Sequence, residues 1–415
     1  MEYFFYLFFF LTIYFQLFLL FSFFDGEEKG GNSIEKKQEE ELPTVTVIVP
    51  CFNEEKTVEK TVLSLLSLRY PRNKLYIFVV DDGSTDDTWK IIQQFKDDSR
   101  VKLFHKENEG SKFAALNYAL RFVESELVGV LDADSWVQED ALMYTVQEFL
   151  KDEKIMAVIP SMVIASPDSL TRKAQRAEYE IGIFVRKVFA KIRTVYITPG
   201  PFSFFRKKVF DTLGPYREAH HTEDAEIALR MQKAGYPIAY SERTIVYTVG
   251  PKTIPKLIKQ RIRWTYGFIR NAIDYRELFF NKKYGELGFI VLPMGLFRIF
   301  LAVFLFPISL WLLSKPLIQK VEEWRSIGFS FDFFHVFSGN FDTFFFHLNS
   351  ITLLSLLGFL FTIIAIITGR IILREKKKFL FIDYIAMLFI YTFVAPIWLV
   401  KSLWNAIRLK KSAWR

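Results

Sequence analysis

The chain predicts an α/β fold, a mostly parallel sheet with helices on both faces, joined to membrane-spanning α-helices. Three observations carry that expectation. Between Leu42 and about Ala234, short apolar strands alternate with helical stretches, the signature of βα units. Carboxylates stand at the ends of two of those strands, at Asp81-Asp82 and Asp132-Ala133-Asp134. Hydrophobic residues make up 51% of the 415 residues and Phe alone contributes 46, but the excess collects at the N-terminus and beyond Leu287. That distribution describes a soluble domain flanked by bilayer-length apolar runs.

Residues Tyr3 to Phe24 are almost wholly apolar, with no Lys or Arg before them and no small-residue cleavage site. They read as a spanning anchor (1–24) rather than a cleaved signal peptide. Asp25 to Glu41 is polar, mostly acidic and contains Gly30-Gly31, so 25–42 reads as a flexible linker. Strands follow at Val45–Pro50, Leu75–Val80, Val101–His105, Leu127–Leu131 and Ile155–Ile159. Helices intervene at about Glu55–Leu68, from Asp86 as a cap with Trp89, Ile92 and Phe95 on one face, and at Phe113–Val123. A long amphipathic helix spans Ser169–Lys191, and another runs from Thr222-Glu223-Asp224 to Ala234, stopped by Gly235. These elements define a soluble domain over 43–250. Bases and aromatics mix over Pro255–Phe280, so 251–286 reads as amphipathic helices at the membrane surface.

Spans are expected at Leu287–Leu313, Ile351–Ile372 and Phe379–Val400, within a membrane region over 287–400, with a basic tail at 401–415. The Phe-rich stretch Phe329–Phe346 is broken by Asp332, Gly339, Asn340 and Asp342 and reads as interfacial. Lys29, Lys36 and Lys37 follow the anchor, which puts the soluble domain in the cytoplasm of a multi-pass plasma-membrane protein. Three later spans then carry the basic tail Lys401–Arg415 outside, so either the rule is broken at the tail or one span is a re-entrant or interfacial helix. The net charge of +8 lies largely around the spans, where cations set topology and meet anionic lipids, so a nucleic-acid partner is not expected. The single cysteine, Cys51, excludes an internal disulfide and a cysteine zinc site.

Four motifs and one lysine offer chemistry. Asp81 and Asp82 follow an apolar strand, and Gly83-Ser84 lets backbone approach a ligand; the same sequence is also an ordinary Asp-Gly turn. Asp132 and Asp134 flank one residue after a strand, so both carboxylates can face one way and suit Mg²⁺ or Mn²⁺, which would neutralise two phosphates of a donor. Lys112 opens a helix whose N-terminal amides favour anions, and can contact that diphosphate or stand solvated at the surface. Asp224 is placed as a general base and Glu223 as its neighbour holding geometry, although acids at a helix start are also ordinary dipole partners. His220 and His221 are left structural. Gln260, Arg263 and Trp264 share one helix, Arg263 fit to pair with a diphosphate and Trp264 to give a sugar ring a flat platform.

With these residues in this order, the chain resembles the membrane-embedded family-2 glycosyltransferases, which include cellulose, chitin, hyaluronan and poly-N-acetylglucosamine synthases. The likeness rests on Val80-Asp81-Asp82-Gly83-Ser84, Lys112 with Ala114-Ala115-Leu116-Asn117, Asp132-Ala133-Asp134, Thr222-Glu223-Asp224 and Gln260-Arg261-Ile262-Arg263-Trp264, within Pro43–Asn271. It implies a GT-A fold, a UDP-sugar donor (UDP-GlcNAc or UDP-glucose), a divalent metal and inversion at the anomeric carbon. It implies that Asp81 meets the nucleotide, Asp132 and Asp134 the metal and diphosphate, and that Asp224 is the base. Gln260, Arg263 and Trp264 would belong to the set tied to processive synthesis, with a polysaccharide acceptor; the alternative is single addition to a lipid-linked acceptor. Gly200–Arg206 resembles the acceptor-side loop of these synthases. Phe113 replaces the small residue common after the lysine, the tail is too short for a regulatory domain, and the small spanning region leaves room for an accessory subunit or oligomer.

Overall fold

The computed structural model describes residues 2–25, 39–326, 350–373 and 381–408. Its centre is an eight-stranded sheet of β1 (Val45–Cys51), β2 (Leu75–Asp81), β3 (Val101–His105), β4 (Leu127–Val130), β5 (Ser135–Val137), β6 (Ala157–Ile164), β7 (Ser203–Arg206) and β8 (Ile238–Thr248). The strand order is β3-β2-β1-β4-β7-β6-β8-β5. β1 pairs in parallel with β2 and β4, and β2 with β3, giving a parallel half. β7 then runs antiparallel between β4 and β6, β8 is parallel to β6, and β5 closes the far edge antiparallel.

The parallel half formed where the sequence expects it because its central strands β1 and β2 are apolar runs covered on both faces. Val45, Val47, Ile48 and Val49 are fully buried, and two apolar cores lie on opposite sides of the sheet. Helices α2 (Val58–Leu66), α3 (Thr88–Ile92), α4 (Lys112–Leu120) and α5 (Ala141–Lys151) cover it. Asp86 accepts from Thr88 N at 3.0 Å, although Asp87 occupies the cap position itself.

The other half departs from expectation. β5, β7 and β8 and the short helix α7 (Lys207–Leu213) were not anticipated. Gly200–Arg206 is not one loop: Gly200 and Pro201 line a cavity, whereas Ser203–Arg206 is a central strand with Phe204 and Phe205 buried. Burial of those rings between β4 and β6 outweighs the local Gly-Pro turn signal.

Helix α6 (Leu170–Lys191) begins at Ser169, whose side chain accepts from Arg172 N at 3.3 Å. Helix α8 (Glu223–Ala234) ends at Gly235 in the left-handed conformation, φ +74°. Helix α9 (Ile254–Asp274) is the amphipathic helix expected over 251–286. Among the described residues, four helices are long and apolar enough to cross a membrane, at Tyr6–Phe24, Leu287–Ile308, Leu353–Ile372 and Phe381–Ile407. The first lies in α1 (Glu2–Phe24) and the second begins ahead of α10 (Leu292–Ser326). The stretch 329–346, most of the linker and the end of the basic tail fall outside the described residues.

α6 and α9 join the sheet domain to the last two spans. Arg176 Nε donates to Asp383 Oδ2 at 2.5 Å with both residues buried, and Arg370 pairs with Glu180 at 3.4 Å. Arg261 of α9 pairs with Glu178 of α6 at 2.5 Å and with the Tyr391 hydroxyl at 3.2 Å.

Candidate functional site

β1, β2 and β4 run in one direction, so their C-terminal ends share an edge, where open α/β sheets present their ligand sites. That edge walls a cavity of about 570 Å³, in the size range of small-molecule and cofactor sites. The loops after β1, β2 and β4 contribute Glu54, Asp82, Asp132 and Asp134, and the start of α4 contributes Lys112. The start of α8 brings Glu223 and Asp224, and α9 brings Gln260, Arg263 and Trp264. Nine of the ten residues singled out from sequence therefore line one cavity.

Asp81 does not. Its side chain is fully buried, accepting from Ser84 Oγ at 2.5 Å and meeting His105 Nδ1 at 2.7 Å. Its carboxylate supports the turn beneath the cavity, and Asp82 is the member of the pair that reaches the lining. Asp82 is held by Lys106 at 2.5 Å. Gly83 sits at φ +69°, and a Cβ there would lie 2.8 Å from Asn108 N, so the turn requires glycine.

Lys112 Nζ pairs with Asp132 Oδ1 and lies 3.7 Å from Glu223 Oε1. Burial alone would lower its pKa, but the attraction of Asp132 and Glu223 outweighs burial and holds the ammonium above its ordinary value. Gly200 leaves room for that pair: a Cβ there would sit 2.6 Å from Lys112 Nζ. Asp134 accepts from Ser135 Oγ at 3.1 Å, and burial, then repulsion from Asp132 and Glu54, pushes its carboxyl up to about 7.

Asp224 carries a carboxyl pushed up to about 6, first by burial and then by repulsion from Glu223, with Lys112 pulling the other way. Its backbone carbonyl accepts from Thr198 N and Oγ1, at 3.1 and 2.8 Å. The approach to this residue is strained: Ala219, His220 and His221 have φ of +41°, +55° and +65°. α9 clamps the strained turn. His220 Nε2 meets Asp274 Oδ2 at 2.8 Å, Asn271 Nδ2 donates to Thr222 Oγ1 at 2.9 Å, and a Cβ on Gly267 would lie 2.2 Å from that same oxygen. The helix bearing Gln260, Arg263 and Trp264 thus also fixes the turn before Glu223 and Asp224.

Sequence reasoning missed part of the wall. Glu178, Tyr179 and Arg186 of α6 line the cavity, as does His221, which had been read as structural. Arg261, at an intervening position of the Gln260–Trp264 motif, stacks its guanidinium 4.5 Å from the Trp264 ring centroid. Glu178, Gly182 and Arg186 stand four residues apart along one helix face, a spacing that marks a shared face but not that the face lines a cavity.

Among the described residues, no three His, Cys, Asp or Glu side chains converge as a ready-made metal cage. The donor set nonetheless suits a hard divalent cation. Asp132 and Asp134 are oxygen donors; burial, then the repulsion of Asp132, raises the Asp134 carboxyl, and a cation would relieve that repulsion. Two carboxylates fill only part of an octahedral shell, which leaves positions for phosphate oxygens and water.

A family model described as "Glycosyltransferase like family 2" matches residues 43–267. The chain is 32% identical over 232 residues to a poly-beta-1,6-N-acetyl-D-glucosamine synthase of Staphylococcus epidermidis, covering 55% of each chain. It is 29% identical over 248 residues to the enzyme of the same name from Staphylococcus aureus strain COL, covering 59% of this chain and 58% of that one. The match thus spans somewhat over half the length of these relatives. A mannosyltransferase from Pyrobaculum calidifontis, solved with GDP-Man and Mn²⁺, superimposes with a TM-score of 0.52 at 22% identity, over 64% of this chain and 75% of that one, and shows the same GT-A-like fold. The matched segment contains the whole sheet and every cavity motif through Trp264, and the chain belongs to the family-2 glycosyltransferases.

Proposed function

We propose that this chain is a processive, inverting glycosyltransferase that moves a sugar from a UDP-sugar to a growing β-linked polysaccharide at a membrane. The observation that carries the reading is the convergence of Lys112, Asp132, Asp134, Glu223, Asp224, Gln260, Arg263 and Trp264 on one cavity beside the spans. The staphylococcal relatives favour N-acetylglucosamine over glucose as the sugar.

In this reading Asp82 and the turn it belongs to face the nucleotide, with Asp81 supporting them from below. Asp132 and Asp134 would hold Mg²⁺ or Mn²⁺, which would offset the charge of the diphosphate and make it a better leaving group. Lys112 and Arg263 place further positive charge on the same group. Asp224 takes the proton from the acceptor hydroxyl as that oxygen attacks the anomeric carbon. The new C–O bond forms on the face opposite the departing UDP, which inverts the configuration. A carboxyl near 6 is mostly ionised at neutral pH yet basic enough to share a proton, which suits that role. Trp264 offers the acceptor ring a platform. The domain layout follows: a 1–24 anchor, a 25–42 linker, a catalytic domain over 43–250 on the cytoplasmic side of the plasma membrane, interface helices over 251–286, and spans over 287–400. A partner subunit or a second copy would complete a translocation path.

The test is a transfer assay on membranes containing the chain, with labelled UDP-GlcNAc or UDP-glucose and Mn²⁺ or Mg²⁺. High-mass label insoluble in organic solvent is the expected product, with UDP-GlcNAc the better donor. Label that extracts quantitatively with lipids would replace the polymer reading by single addition to a lipid acceptor.

A further inference from the structure

Arg186 sits on α6 and lines the cavity, yet none of the motifs includes it. Its Nε and Nη2 are out of contact with solvent and have no hydrogen-bond partner among the described residues. Guanidinium donors are rarely left this way without a reason. Gly182, one turn back, leaves the space into which the guanidinium folds: a Cβ there would meet Nη1 and Nη2 at 3.4 Å. Glu178, the next residue along this face, is already taken by Arg261 at 2.5 Å. Burial lowers the Arg186 pKa, with only Tyr240, Tyr179 and Glu178 countering it, so the site supplies the cation no full partner.

The location separates Arg186 from the donor end. Lys112 pairs with Asp132 and Glu223, whereas Arg186 shares its helix face with Glu178, which pairs with Arg261 of α9. Arg261 in turn stacks on Trp264, so this face of α6 adjoins the part of α9 that lines the cavity, and both helices pack on the last span. Gln260 Oε1 in the same cavity is a buried acceptor with no partner among the described residues. An incoming anion would meet Glu178 beside it. A neutral ligand carrying both acceptors and donors, as a sugar hydroxyl or acetamido group does, satisfies both unmet groups.

We propose that Arg186 is an acceptor-binding residue that donates hydrogen bonds to neutral oxygens of the glycan behind its growing end. The inference rests on the polymer reading above and assigns it a substrate contact. The experiment uses the full chain in lipid nanodiscs, with β-1,6-linked N-acetylglucosamine oligomers as acceptor and UDP-GlcNAc as donor. Arg186→Met should raise the KM for the oligomer at least tenfold, and Arg186→Lys, which keeps charge but loses the planar fork, severalfold. Both should leave the Kd for UDP within twofold, which also reports that the fold is intact; Arg186→Gln replaces Met if that variant does not fold. An unchanged oligomer KM, or an increase confined to the donor KM, overturns the assignment. So does a selective loss of transfer to a polyprenyl phosphate, which would make the ligand an anion. A wild-type chain that does not respond to the oligomer at all contradicts the polymer reading itself, whereas a wild-type response matched by Arg186→Met contradicts only the role of Arg186.

Discussion

Replacing Asp224 with Asn removes the proposed base while keeping size and much of the local hydrogen bonding. The residue stands at the start of α8 with its carboxyl pushed up to about 6, so at pH 7.5 roughly nine-tenths or more of the molecules hold it ionised. A positioned base contributes on the order of 10²–10⁴ in rate, or about 3–5 kcal/mol of barrier. Initial rates of transfer from labelled UDP-GlcNAc should fall by that factor, with the Kd for UDP unchanged. The wild-type rate should drop about tenfold per pH unit below 6 as the base is protonated, and Asp224→Asn should lack that limb. Stability should move the other way. A carboxyl whose folded pKa lies above its unfolded value costs the fold most at pH above 6, and the cost fades as pH falls towards the ordinary carboxylate range near 4. Asp224→Asn should therefore raise the melting temperature at pH 7.5 and lose that advantage near pH 4. A variant within tenfold of wild-type turnover, or one with the same acid limb, would refute the assignment of the base.

Gly200→Ala puts a methyl 2.6 Å from Lys112 Nζ and should displace the lysine from Asp132. The expected result is a loss of at least tenfold in kcat/KM with a raised donor KM, read by the same transfer assay. Asp383→Ala leaves Arg176 buried without its carboxylate and should cost about 3–5 kcal/mol. Thermal unfolding in detergent measures it, and a matching loss in Arg176→Met that is not additive with it would confirm the pair. Chelation of divalent ions should weaken UDP binding measured by calorimetry and abolish transfer, both restored by Mn²⁺ or Mg²⁺, while Asp132→Asn should bind UDP weakly with or without metal.

What was legible in the sequence follows from which forces act locally. β1 and β2 were placed to within a residue, because a strand buried on both faces must be apolar nearly throughout. The carboxylates after β2 and β4 were legible as a site because the parallel sheet brings strand ends together whatever the intervening loops do. β8 was missed because Ser241, Glu242, Arg243 and Thr244 interrupt its apolar pattern; Ser241 and Thr244 are buried through hydrogen bonds to each other and to the α5 backbone. β7 was missed because its four residues follow directly on the Gly200-Pro201 turn signal and were read with it as one loop. Glu178, Tyr179 and Arg186 were hidden for a different reason. An amphipathic helix shows that it has a polar face, but not that the face closes a cavity, since that depends on how α6 docks against α9 and the spans. The strained turn at Ala219–His221 carries no local signal either, because none of its three left-handed residues is the glycine that would announce one.

The most direct test of the central claim is to follow wild-type turnover of an α-configured UDP-GlcNAc by proton NMR, reading UDP release and the anomeric signal of the product together. The account predicts UDP released in step with β-linked polymer. Product linked in the α configuration, or UDP released with no sugar transferred, would contradict it.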